Sequence, residues 1–348
     1  MDRAMSAGGR LSNLVRTRIT YTGEPYQFAL DALKNASSRT PLPDSSGDQA
    51  LLESQVLSKL GDGGSWSAHP VGVANVRLSP GKPIVVHLDP HVELSDGEDY
   101  PVAWHAMDRL LPYSEPGVQV NGVLGLRIAA IRGSDLHLTL AETGSRLIIR
   151  GVPGTTWKDY LDERWESLGR AHAPALWRSR FFSDEERQDE QRHPLVRGTE
   201  RDIAWIGAGL LRRIALFHTA STAYSTRSWI TGEDWIFELD TRRDVRLDHD
   251  TLLARITDPF WGLPLKVVEH HCTCNDPPLT SDRYMRQCTY ELAHREGSRC
   301  GIQLRFRWGH AVYGKNARRQ LERLGSAPDW LDRVLPQAIQ EAHDEDAS

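Results

Sequence analysis

The chain is poor in cysteine and in lysine, and it has no long uninterrupted apolar run. Four cysteines among 348 residues exclude the disulfide-dense frame of a small secreted domain. Without a signal-like start they read as reduced thiols, and the chain reads as cytoplasmic. Of the 42 basic residues only 6 are lysine, a bias that points to a GC-rich genome more than to a binding surface. No stretch supplies the roughly 18 to 20 apolar residues of a membrane span. The most apolar one, 203–217, carries Arg212 and Arg213, so no membrane partner is expected. The chain also lacks a GxxxxGK[ST] phosphate loop and a GxSxG elbow, which removes the ordinary nucleotide hydrolases and α/β-hydrolases. Gly207-x-Gly209 lies inside a helical pattern, where it serves a close helix crossing and not a dinucleotide turn. A net charge of −5 and a pI near 6.3 exclude a wholly basic nucleic-acid binder and leave room for a local basic patch.

What is present reads as an α+β fold, with antiparallel or mixed sheets, a helical middle segment and C-terminal closing helices. Residues 1–17, with Arg3, Arg10 and Arg16, read as a flexible basic arm, and ITYT at 19–22 as a short strand. A helix follows over GEPYQFALDALKN, with Pro25 near its first turn. The run RITYTGEPYQFALDAL resembles the opening of a group of actinobacterial, Streptomyces-like proteins, and that resemblance implies no activity.

The region 18–153 is strand-rich. VGVANVRL, PIVVHLD, VQVNGVLGLRIAAIRG, DLHLTLA and SRLIIRG predict a sheet of about five strands, interrupted by the helix PVAWHAMDRLLP. The region 154–262 is helical, with Thr156 as one cap and Thr199 with Asp202 as a capping box; a hairpin turns at Gly232. The region 263–348 predicts three antiparallel strands and two closing helices, KNARRQLERLG and PDWLDRVLPQAIQEA. The boundaries between these regions are soft, and one continuous core is compatible with the pattern.

Four groups of residues carry candidate chemistry. His270, His271, Cys272, Cys274, Cys288, His294 and Cys300 are zinc-ligand types, but the spacing Cys-x-Cys-x13-Cys-x11-Cys lacks paired CxxC knuckles. A hairpin about the GS turn at 297–298 places Cys300 opposite His294, and Cys272 and Cys274 at the far end of the strand. One tetrahedral site cannot hold both ends, so buried thiols are the blander reading.

The second group is a polyanion-binding face formed by Arg283, Arg295, Arg299, Arg305, Arg307, Lys315, Arg318 and Arg319. It lies opposite the apolar run Ile302, Leu304, Phe306 and Trp308. Its bland counterpart is a solvated face paired with carboxylates. Third, His87, Asp89 and His91 share strand parity and would hold a divalent metal if the strand ran through Pro90; a strand ending at Asp89 makes that residue a turn instead. Fourth, Asp234, Glu238 and Asp240 share parity and suit Mg²⁺, or form the polar face opposite Trp235, Phe237 and Leu239.

The leading expectation is a binding protein with a basic C-terminal face, its partner nucleic acid or another protein in an accessory or mobile-element context. The alternatives are a zinc- or magnesium-dependent hydrolase or nuclease, and a protein–protein assembly component without chemistry.

Overall fold

The computed structural model describes residues 7–35, 42–62, 66–67, 69–93, 99–115, 120–218, 224–241, 249–273, 286–297 and 299–308. Three helices come first, α1 (Ala7–Thr22), α2 (Tyr26–Lys34) and α3 (Gly47–Leu60). Strands β1 (Trp66–Ser67), β2 (Val73–Arg77), β3 (Ile84–Leu88), β4 (His91–Glu93) and β5 (Asp99–Pro101) lead to α4 (Val102–Leu110). Then come β6 (Leu126–Arg132), β7 (Asp135–Leu140) and β8 (Arg146–Arg150), followed by α5 (Gly154–Arg170), α6 (Asp184–Arg192) and α7 (Pro194–Arg212). The hairpin β9 (Tyr224–Thr231) and β10 (Asp234–Thr241), α8 (His249–Ile256), and β11 (Leu265–Cys272), β12 (Arg286–His294) and β13 (Gly301–Trp308) complete the described chain. The architecture is α+β. The two closing helices expected beyond 309 lie outside the described residues.

Two mixed sheets carry these strands. The smaller has the order β2-β3-β8-β7-β6 and contains all five strands expected between 70 and 150. Its one parallel pair is β3 with β8. The larger has the order β11-β12-β13-β10-β9-β1-β4-β5. Here β13 runs parallel to β10 while antiparallel to β12, and strands from the first third of the chain extend the sheet formed by its last third. The three C-terminal strands are therefore part of a larger sheet and not a separate one. Helix α3 touches both sheets, packing on β9, β8 and α7. A single cluster of buried side chains runs from Tyr21 through Val86, Trp157 and Ile206 to Phe306.

Three local readings change. Residues 7–22 are helical where an arm and a short strand were expected, because Leu11, Leu14, Val15, Arg18, Tyr21 and Thr22 recur at helical spacing. Val15, Arg18, Tyr21 and Thr22 are buried on that stripe. Arg18 pairs with buried Glu24 and donates to Leu78 O at 2.5 Å, a fixed interior charge, while Arg10 and Arg16 of the expected arm lie exposed on the helix. Helix α5 starts at Gly154 behind Pro153, which puts Thr156 inside it. Helix α7 starts at Pro194 behind His193, so Thr199 and Asp202 lie within the helix and not at a cap; proline at the first helical position needs no N–H partner. The capping box of this region belongs to α6, where Ser183 Oγ accepts from Glu186 N and Glu186 accepts from Ser183 N.

Candidate metal centre

The open edge of the larger sheet brings together residues that sequence spacing kept apart. Cys272, the last residue of β11, stands directly across from Cys288 on β12, and their sulfurs are 3.1 Å apart. His249 opens α8 and turns its ring under the same strands, with Nδ1 4.0 Å from Cys272 Sγ. One ligand atom from each of His249, Cys272 and Cys288 lies within 4.8 Å of the other two. The imidazole is held flat against Phe306, with ring centroids 4.9 Å apart at 25°. Tyr290 meets its edge at 5.3 Å and brings Oη to 2.9 Å from Nδ1. Cys288 and His249 are buried while Cys272 is exposed, so the cluster is anchored on one side and reachable from the other.

Two sulfurs and an imidazole suit a soft or borderline cation. Bonds of about 2.0–2.3 Å to a tetrahedral zinc ion put two sulfurs about 3.8 Å apart and a sulfur and a nitrogen about 3.5 Å apart; the sulfurs here stand at 3.1 Å and Cys272 Sγ and His249 Nδ1 at 4.0 Å, so binding would spread the first pair and draw in the second. Magnesium prefers six oxygens and suits this set poorly.

The other expected ligands fall elsewhere. His270 lies parallel to the Tyr290 ring at 5.9 Å, and His271 pairs with Thr289 on the opposite face. His294 sits edge-on to Trp205 at 5.3 Å and accepts from Glu296 N at 3.1 Å. Buried Cys300 precedes β13 at the far end of the hairpin. Cys274 lies outside the described residues. His249 carried no sequence signal as a partner, because its approach to Cys272 and Cys288 is made by tertiary packing alone.

The basic face and the carboxylate strand meet each other. Glu238, 4 % exposed, has Arg307 Nη1 at 2.8 Å, Arg305 Nη1 at 3.7 Å and Arg227 Nη1 at 4.0 Å. Arg305 also lies over Trp229 at 5.6 Å. An Mg²⁺ ion at Glu238 would face three guanidinium groups, which disfavours the nuclease reading there. Asp234 stands at the opposite end of β10, where burial, with Glu291 and Glu233 nearby, raises its carboxyl above the ordinary value. Asp240 pairs with Arg307 in the β10–β13 register. Arg295 donates to Leu265 O at 3.0 Å and to Thr257 O, and Arg299 is exposed. Arg283, Lys315, Arg318 and Arg319 lie outside the described residues.

The His87, Asp89 and His91 array is divided between the sheets, because β3 ends at Leu88 and β4 begins at His91 in the other sheet. Burial, then the charges of Arg77 and Arg150, push His87 down to about 4. Asp89 is 3 % exposed. It accepts from His69 N at 2.8 Å and contacts His69 Nδ1 at 2.7 Å. His218 stacks obliquely on His69 with centroids 4.5 Å apart and donates from Nε2 to Val73 O at 3.2 Å. Burial, then His69, push His218 down to about 3. His69 was invisible as the partner of Asp89, and His218 as that of His69, since they come from different parts of the chain.

Comparison with models of known protein families, with curated proteins and with solved structures finds no match for this chain.

Proposed function

We propose that this is a zinc-binding protein, one Zn²⁺ being held by Cys272 Sγ, Cys288 Sγ and His249 Nδ1 with Tyr290 Oη beside the fourth position. The observation that carries the reading is the convergence of two sulfurs and one ring nitrogen within 4.8 Å from the end of β11, the first residues of β12 and the start of α8. Two thiolates neutralise the charge of the ion, which makes its partial burial tolerable. The ion ties the edge strand β11, exposed beyond Leu265, to the buried part of the sheet, and so fixes an edge that would otherwise rest on one strand partner. The basic face carries less weight as the functional surface, because Glu238 offsets part of its charge and Arg295 is directed at backbone carbonyls.

The test is elemental analysis with native mass spectrometry on chain purified without chelator. One zinc per chain is expected. Cobalt substitution should add a thiolate charge-transfer band, and Cys272→Ser and Cys288→Ser should each lose the metal. Chelation is expected to cost about 2.7 kcal/mol of stability where free zinc had stood at about 100 times its Kd. A metal-free chain lighter by two hydrogens, with Cys272 and Cys288 joined, overturns the proposal, as does unchanged zinc content in both serine variants.

A further inference from the structure

A second feature lies on the smaller sheet, away from the metal centre. Between the edge strand β6, the neighbouring β7, helix α5 and the turn at Leu176–Arg178 there is a cleft of about 640 Å³, within the range of small-molecule sites. Its floor is apolar, made by Ile128, Ile131, Leu161 and Trp177. Its polar lining has a one-sided charge. Arg127 is bound to buried Glu186, at 3.0 and 2.5 Å, and Glu142 to Arg187, at 2.7 Å; neither Glu186 nor Arg187 lines the cleft. Arg178 pairs with Asp162 at 3.6 Å, which leaves Lys158 and Arg180 of the lining as an excess of two positive charges in a chain whose net charge is −5.

Two arginines of the lining are backed by aromatic rings outside it. Trp165 is 42 % exposed and Phe181 64 %, and each carries an arginine of the cleft on its face, Arg178 at 4.1 Å from Trp165 and Arg180 at 5.6 Å from Phe181. Of these two arginines Arg178 also pairs with Asp162; exposed aromatic side chains beside cationic groups are enriched where ligands dock. Arg127, 4 % exposed, is fixed beside the floor by bonds to Glu186, Leu126 O and Phe181 O.

We infer that this cleft binds a phosphorylated ring compound of mononucleotide size. A phosphomonoester carries about −1.5 to −2 charges at neutral pH, which matches the excess on the rim. A flat heterocycle fits the apolar floor with its Trp177 ring and the arginines above it.

Isothermal titration of the full chain with AMP, GMP, CMP and UMP tests this. One nucleotide per chain is expected for at least one of the four, with affinity that falls as salt rises. Lys158→Glu combined with Arg180→Glu changes only exposed side chains and should weaken binding at least tenfold. Ala129→Trp, at the exposed rim, should abolish it. Cys272→Ser should leave it unchanged, so the cleft and the metal centre fail or stand separately. No heat with any of the four nucleotides overturns the inference. So does adenosine binding as tightly as AMP, or full affinity in both the charge-reversed and the tryptophan variants.

Discussion

Neutral His218 shows how a single side chain couples this fold to pH. Its Nε2–H is committed to Val73 O and its half-buried ring packs on that of His69, so burial and the neighbouring imidazole both oppose a second proton. Its folded value is about 3, against about 6.5 for an unfolded histidine. Between those two values the unfolded chain binds the extra proton and the folded chain does not. This group's contribution to stability is therefore whole above about pH 6.5, is lost as the pH falls toward 3, and changes no further below that. Replacing His218→Gln, which keeps an N–H for Val73 O, should flatten the acid limb of the stability curve, read as urea midpoints at several pH values. An unchanged slope would show that His218 does protonate in the folded chain. The same corner contains Val71 at φ 53°, a conformation that β-branched residues avoid. Asp89 N bonding to Gly72 O at 2.8 Å helps to hold it there.

At the scale of elements, the crossing of α3 and α7 is where glycine matters. A Cβ on Gly207 would lie 2.6 Å from Ser54 Oγ and 2.6 Å from the Trp235 ring, whereas one on Gly198, in the same helix, would meet nothing within 4 Å. Gly198→Ala should stabilise the protein by about 0.5–1 kcal/mol through helix propensity. Gly207→Ala should destabilise it by about 1–2 kcal/mol, because overpacking exceeds that gain. Opposite signs in chemical denaturation check the pair; two gains would mean that the helices are not this close. The crossing is further fixed by Arg212 of α7, which makes two bonds of 2.6 Å to Glu53 of α3. Glu53 is fully buried, so removal of the arginine alone would strand a charge.

At the scale of the whole molecule, the four regions suggested by composition are not independent units. Each sheet joins distant segments through a parallel pair, β3 with β8 and β10 with β13, and β1, β4 and β5 complete a sheet whose other strands lie beyond residue 223. One cluster of buried side chains spans both. Calorimetry should therefore show one transition whose calorimetric and van't Hoff enthalpies agree. Two resolved transitions would indicate separate folding units. Among the described residues no helix is long and apolar enough to cross a membrane.

The amino-acid sequence alone determined the features that depend on neighbours along the chain. The alternation in 73–150 specified the strands of the smaller sheet, Gly232 the turn of a hairpin, and the stripe Ile203, Ile206, Leu210 the buried face of α7, because local periodicity records which side of an element is dry. The glycines of α7 were legible as a crossing for the same reason. Helix α1 was misread because its exposed Arg10 and Arg16 drew attention away from the buried stripe of Val15, Arg18 and Tyr21, where an arginine is kept inside by Glu24. Tertiary structure alone decided the rest: which strands share a sheet, that Glu238 is the counterion of three arginines, that Asp89 holds His69, and that His249 reaches Cys272 and Cys288. These contacts span distant parts of the chain and follow from how whole faces pack, so no spacing in the sequence encodes them.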